Sequence, residues 1–288
     1  KNMRNKTGCI KQQTEYPGDI VSSTGKTTDY SEWNPKDVRS LIEQEKITTF
    51  TSGMCAGYAQ ANLVILPKAQ AYDFLLFTQR NPKSCPVLEV FDEGCRYSRT
   101  AAPGADITKV IPKYRIYRNG VLDGEYTDIE PFWRDDLVAF LIGCSFSFES
   151  ELIEAGIEMR HNTENCNVPM YRTNIECEPA GMFSGKMVVS MRPIPYHQLV
   201  KAVTVTARLP KVHGSPIHIG DPSVIGIQDI NKPDFGDAVT IHDGEVPVFW
   251  CCGVTPQSVV MNSKPEFVIT HAPGHMLITD IKNTDLKD

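Results

Sequence analysis

The chain has 288 residues, 41% hydrophobic and 22% charged, with a formal net charge of −6 and an isoelectric point near 5.7. That balance excludes the usual nucleic-acid binder, which carries a basic face. No apolar stretch reaches the roughly 18–20 residues that span a bilayer, because the longest, LVAFLIGCSFSF, is broken by Gly143 and Ser145.

Residues 1–32 are polar, rich in Lys, Thr, Ser and Gly, and read as a flexible arm. Order is expected from Asn34, an N-cap followed by Pro35 at the first helical position, with Val38, Leu41 and Ile42 on one face. NLVILP is a short apolar run, and Pro67 opens a helix through Gln79 with Ala71, Phe74, Leu75 and Thr78 inward. PVLEV reads as a strand. PKYRIYRNGVLDGEY alternates and turns at Asn119-Gly120, a hairpin signal. DDLVAFLIG is too apolar for a half-exposed strand, and ESELIEAG is a short helix closed by Gly156.

GKMVVSMRPIPYHQLVKAVTVTARLP reads as strand, turn and helix, with Pro195 in the first turn and Leu199 and Val203 inward. Asp243-Gly244 suggests a second hairpin, VPVFWCC a buried strand, and Thr255-Pro256 the cap of another helix. FVITHAPGHMLITDI closes the series as two strands around an Ala-Pro-Gly turn. LVAFLIGCSFSFESELIEAG and VPVFWCCGVTPQSVVMNSK share one design, which suggests an internal duplication. The expected fold is α/β or α+β, with mixed sheets, hairpins and strand–turn–helix units. It forms one domain over 33–288, with room for two intertwined α/β subdomains.

Nine cysteines without a CxxC pair read as reduced thiols in a cytoplasmic protein and argue against a zinc ribbon. GxGxxG, GxxxxGK[ST] and GxSxG are all absent. Histidine is concentrated in two turns, VHGSPIHIGDP and THAPGHMLITD. These could be structural, metal-binding or acid–base residues. The Pro-Gly between His271 and His275 forbids the shared helical face that HExxH zinc binding needs, whereas an ordinary imidazole titrates near neutrality, where proton transfer is useful. Ser145, Ser147, Thr255 and Gln257 stand at strand-to-helix turns, where unpaired N–H groups bind anions or are capped. Arg172, beside Asn174, and Arg192 could each grip a carboxylate bidentately or form ordinary ion pairs. Asp221 follows His218 in the first histidine turn. Cys144, at a helix start, is a candidate thiol nucleophile.

GYAQANLVILP, RNPKSCPVLEV, APGADI, WRDDLVAFLIGCSFSFE, NVPMYRTNIEC, GKMVVSMRPIP, VHGSPIHIGDP, DFGDAV, GEVPVFWCCGVTPQ and THAPGHMLITD follow one another in this order. Together, over about residues 35–281, they resemble the hydro-lyases grouped as the D-glutamate cyclase family. The resemblance implies a hydro-lyase acting on a small carboxylic or amino acid, with closure of D-glutamate to 5-oxo-D-proline as the specific candidate. A non-catalytic binding protein for an acidic metabolite, or a thiol enzyme using Cys144 or Cys252, would share many of the same residues.

For the lyase, Arg172 or Arg192 would hold a carboxylate. His218 or His271 would act as base and His275 as acid. The Ser145 and Thr255 turns would cradle the carboxyl oxygens. Asn174, Gln257 and Asp221 would add polar contacts. No obligatory cofactor is expected, although a divalent metal could stand in for the acid. The expected partner is the small carboxylate itself, with neither nucleic acid nor membrane, and a homo-oligomer is the base-rate assembly.

Overall fold

The computed structural model describes residues 28–287, so most of the expected N-terminal arm lies outside the described residues. Helix α1 (Pro35–Glu43) is capped by the Asn34 side chain, which accepts from Lys36 N–H at 2.9 Å. Strand β1 (Tyr58–Pro67) leads directly into α2 (Lys68–Arg80). Pro67 fixes its own φ and offers no N–H, which suits it to that junction. Then come β2 (Val87–Val90), the hairpin β3 (Tyr114–Arg118) and β4 (Val121–Tyr126), β5 (Leu137–Gly143), α3 (Phe146–Glu154) and the single turn α4 (Arg160–Thr163). The second half holds β6 (Met170–Glu176), β7 (Lys186–Pro195), α5 (Leu199–Ala207), β8 (His218–Ile219), β9 (Glu245–Cys251), α6 (Val254–Ser263), β10 (Phe267–His271) and β11 (Leu277–Lys282).

Helices and sheets are mixed, as the α/β reading requires, and every pair of these named strands is antiparallel. A seven-stranded sheet runs β2-β5-β1-β10-β3-β4, with β11 also pairing β1. A four-stranded sheet runs β6-β7-β9-β8. Asn119 and Gly120 both have positive φ, as a two-residue hairpin of this twist requires.

Three local expectations are corrected. No strand precedes Asp243-Gly244, because β9 takes its partners from β7 and β8; the turn merely delivers the chain to β9. On α5 the buried residues are Ala202 and Thr206, while Leu199 and Val203 are half-buried. On α2, Phe77 rather than Leu75 joins the inner face. In both helices the sheet beneath sets the buried stripe, and the sequence period leaves its phase open.

The two strand–helix units correspond in register. Pro67 pairs with Leu137 and Ala61 with Gly143, while Pro195 pairs with Glu245 and Val189 with Cys251. The next residues match as well. Cys144 N–H donates to the Gln60 carbonyl at 3.1 Å, and Cys252 N–H to the Val188 carbonyl at 3.0 Å. Gln60 N–H donates to Ser147 Oγ at 3.1 Å, and Val188 N–H to Thr255 Oγ1 at 3.0 Å. A hydroxyl placed between the strand end and the helix thus ties each turn to the neighbouring strand. The strand after each helix departs for the other sheet: β6 follows α3 but pairs with β7, and β10 follows α6 but pairs with β1.

The core divides along these sheets. Leu63 and Ile65 pack with Ile107, Ile111 and Tyr114 on one face of β1. Val64 and Leu66 pack with Phe74, Phe77 and Val260 on the other. Trp250, Ile194 and Phe148 form a third cluster between α3, α5 and the four-stranded sheet.

Candidate functional site

The turns after β5 and β9 meet at Asn62, in the middle of β1. Its Nδ2 donates to the carbonyl of Gly143 at 3.0 Å and lies 3.3 Å from that of Ile142. A Cβ on Gly253 would overlap the same amide. An amide inside an apolar strand must find partners or lose stability, and here the partners are the two helix entrances.

One residue further on, Leu63 N–H donates to His271 Nδ1 at 3.0 Å. Gln257, in the first turn of α6, places its Nε2 3.0 Å from the same Nδ1 and 3.2 Å from the His271 carbonyl. The Leu63 carbonyl lies further from Nδ1, at 3.4 Å, and the Gln257 nitrogen, within 3.3 Å of both ring nitrogens, stands over the ring; the closer Leu63 N–H donation puts the proton on Nε2. The protein group nearest Nε2 is again the Gln257 nitrogen, at 3.3 Å. Among the described residues the Nε2–H of His271 therefore meets a donor and no acceptor. Burial pushes the His271 pKa down to about 3, against a hydrogen bond to the Leu63 backbone and helped by His275 and then Arg115, so the ring is uncharged at neutral pH.

His275 follows in the turn between β10 and β11. Its Nδ1–H donates to the Pro273 carbonyl at 3.0 Å, leaving Nε2 with a lone pair. Its pKa is also lowered, by burial first and then by Lys113; the Pro273 carbonyl, the Thr48 carbonyl and Glu125 act in the opposite sense. Phe50 lies on the ring at 4.8 Å between centroids. Lys113 and Glu125 line a surface cleft of about 430 Å³ together with Tyr126, Thr127 and Asp128.

On the α3 side the charges pair with one another. Fully buried Arg192 donates to Glu149 through Nε and Nη2, to Ser190 Oγ at 2.6 Å and to Ser145 Oγ at 3.2 Å. Its guanidinium also lies over the Phe148 and Trp250 rings. Glu149 reaches His161 Nε2 at 3.2 Å. Burial opposes its charge, but His161 and Arg192 win and hold its pKa down to about 2. The Arg192 fork is therefore already occupied by a carboxylate of the protein itself.

The ten sequence-predicted residues fall into two groups. Ser145, Arg192, Thr255, Gln257 and His271 surround the two turns, with His275 at their edge. Thr255 Oγ1 also lies 3.1 Å from the Val188 carbonyl, so its hydrogen is engaged by the strand. The other four are placed in and beside the four-stranded sheet. His218 donates from Nε2 to the Asp221 carbonyl at 2.7 Å and rests against Phe249. Asp221 caps a short turn by accepting from Ser223 N–H at 2.9 Å. Exposed Arg172 lies over Phe235, 3.8 Å from Asp234, and Asn174 Nδ2 is 3.3 Å from the Val224 carbonyl.

Sequence reading passed over Asn62, Lys113 and His161. Asn62 had a signal, a lone amide in QANLVILP, whereas Lys113 and His161 gain meaning only from their neighbours in space. The thiols lie at matching places, with Phe146 N–H directed at Cys144 and Val254 N–H at Cys252. Burial nevertheless raises their pKa values to about 12 and about 11, which is unsuited to a nucleophile. Among the described residues no three His, Cys, Asp or Glu side chains are grouped to hold a metal ion, and no helix is long and apolar enough to cross a membrane.

Comparison with known proteins places these turns in context. The family described as D-glutamate cyclase matches residues 138–280, the stretch that contains β5, α3, β9, α6 and both histidine turns. A "Putative hydro-lyase" of Clostridium beijerinckii is 73% identical over 259 residues, covering 90% of this chain and 99% of its own length. One from Bacillus subtilis is 64% identical, covering 88% and 98%, and one from Psychrobacter arcticus is 62% identical, covering 90% and 98%.

Proposed function

The chain belongs to the D-glutamate cyclase family, and from that premise we propose that it is a hydro-lyase for a small amino or carboxylic acid. Its reaction is the closure of D-glutamate to 5-oxo-D-proline with loss of water. The observation that carries this reading is His271, buried and uncharged, with Nδ1 accepting from Leu63 N–H and Nε2–H left for a substrate oxygen.

In the closure, the amine nitrogen attacks the γ-carboxyl carbon, a C–N bond forms and a C–O bond breaks. Two protons leave the nitrogen and two reach the departing oxygen, so no net proton is consumed. Holding both ends of one molecule together supplies much of the rate. We assign the base to Nε2 of His275, which carries the ring's lone pair when Nδ1–H is bonded to Pro273. Neutral His271 donates to the carboxyl oxygen, a role an uncharged imidazole can fill. The amino ends of α3 and α6 favour the negative charge that gathers there.

The carboxylate grip passes from Arg192, fully buried on Glu149, to Lys113, which lines an open cleft, acts on His275 through its charge and is held by Glu125 only at 3.6 Å. No metal is required by this scheme, although one carried in by the substrate would act as the acid. The test is NMR of the protein with D-glutamate, and with 5-oxo-D-proline for the reverse direction, with and without EDTA and Mn²⁺. Conversion supports the closure. Saturable binding without product under any condition would instead favour the binding-protein reading.

A further inference from the structure

The cleft beside the β3–β4 hairpin holds two charges of opposite sign that the protein does not spend on each other. Lys113 and Asp128 both line it, and no ion pair joins them. Glu125, in the same lining, is taken mainly by Arg115, whose Nε and Nη2 both lie 2.8 Å from Oε1. Lys113 keeps only the 3.6 Å contact to the other oxygen. Asp128 Oδ1 accepts from Glu130 N–H at 2.7 Å. Lys109 acts on Asp128 through its charge, but its Nζ is bound to Glu130 at 2.5 Å. Among the described residues neither a cation nor a donor meets Asp128 Oδ2.

Both ends of the cleft are tied to the His271–His275 turn. Ala272 N–H donates to the Lys113 carbonyl at 2.8 Å. Thr127 Oγ1, next to Asp128, donates to Glu45 Oε1 at 2.5 Å. The loop that begins at Glu45 then lays Phe50 on the His275 ring, and Thr51 N–H donates to the Gly274 carbonyl at 2.9 Å.

We propose that Asp128 is a specificity-determining residue that accepts the ammonium of an amino acid whose carboxylate is held by Lys113, so that the cleft selects an amino acid over the hydroxy acid of the same skeleton. The choice of skeleton rests on the hydro-lyase reading above; the pairing of charges does not. An α-amino acid carries one charge of each sign on a single carbon, and the cleft offers one of each in return. A hydroxyl in place of the ammonium brings a single neutral donor and leaves Asp128 facing an anionic ligand with no cation between them. Exchanging a charge-assisted bond for a neutral one costs about tenfold in affinity or more.

The experiment is calorimetric titration of the intact protein with D-glutamate and with D-2-hydroxyglutarate, in wild type, Asp128→Asn and Lys113→Met. The asparagine keeps an oxygen for Glu130 N–H and removes only the charge. The wild type should bind D-glutamate at least about tenfold more tightly than the hydroxy acid. Asp128→Asn should bring the two within about threefold by weakening D-glutamate, and Lys113→Met should weaken both alike.

Equal affinities in the wild type, a preference that survives Asp128→Asn, or no binding of either acid overturns the proposal. If Asp128→Asn fails to fold, NMR of the wild type decides: D-glutamate must shift the Asp128 carboxyl signal more than the hydroxy acid does, and the opposite order rejects the assignment. A preference abolished by Asp128→Asn in a protein that turns over nothing would keep the Asp128 assignment and remove the hydro-lyase reading. Turnover of D-glutamate with the preference unchanged in Asp128→Asn would do the reverse.

Discussion

Gly253 has no side chain at the one place where the Asn62 amide needs room, and Asn62 uses that room to hold the Gly143 turn at 3.0 Å. Gly253 has φ −63°, which any residue adopts, so this glycine is kept by space and not by backbone conformation. Gly253→Ala should destabilise the protein by about 1–3 kcal/mol through overpacking and lower turnover more than tenfold. Asn62→Ala on top of it should return part of the stability but none of the turnover. Urea denaturation and steady-state rates on the single and double variants check this.

Buried uncharged histidines set the acid side of the stability profile. His213 is fully buried with its Nε2 unbonded, and burial lowers its pKa from 6.5 to about 4; His271 falls to about 3. Above pH 6.5 neither ring is protonated in either state, so neither affects stability. Below it the unfolded chain takes up protons that the folded one refuses, and stability falls until the folded values are reached. The slope is about 1.4 kcal/mol per pH unit for each histidine over that window. Denaturation midpoints should therefore drop between pH 6.5 and 4, and His213→Phe should flatten part of the decline. Glu149 adds a later stage of acid loss. Its depressed pKa contributes stability above pH 4.5 that disappears toward pH 2.

The Glu149–Arg192 pair is buried, so removing one partner leaves the other charged without compensation. Glu149→Gln should cost about 3–5 kcal/mol. Adding Arg192→Met should recover much of that, since Phe148 and Trp250 already offer an apolar surround. A double-mutant cycle in guanidinium measures the coupling. A cost well under 1 kcal/mol for Glu149→Gln would contradict the pairing.

Phe50 is half exposed yet covers His275, and a Cβ on Gly274, at φ +83°, would overlap its ring. Phe50→Ala should raise the His275 titration toward its ordinary value by relieving burial, with under about 1 kcal/mol of stability lost. Histidine NMR reads the first effect and thermal unfolding the second.

Cys144 and Cys252 should escape iodoacetamide in the native protein at pH 8, because the thiolate form is scarce and water does not reach it. Peptide mass spectrometry after brief labelling is the check. Rapid labelling at either position with loss of turnover would revive a thiol mechanism.

Much of the fold was legible because its signals are local. Asn34-Pro35, Asn119-Gly120 and the apolar run 137–143 each state their structure within a few residues, and each is found as read. Asp243-Gly244 misled because a turn dipeptide cannot say whether a strand precedes it. The site was legible in part. Histidine turns and helix entrances could be named from sequence, but not that Arg192 would meet Glu149, 43 positions away, or that His218 and His271 would join different sheets. The similarity of the two strand–helix segments was visible in sequence, whereas the exchange of β6 and β10 depends on pairing between distant parts of the chain.

That exchange governs how the molecule can be made. Strand β1 ends at Pro67, and one of its two flanks stays bare until β10 and β11 are synthesised, beginning some 200 residues later. At ribosomal speeds of about 5–20 residues per second, an apolar strand waits for roughly 10–40 s with an open edge, the kind of surface that recruits stray strands. Neither β5, on the opposite edge, nor α2, on a face, covers that flank, so the nascent chain needs a chaperone or another temporary cover until β10 and β11 emerge.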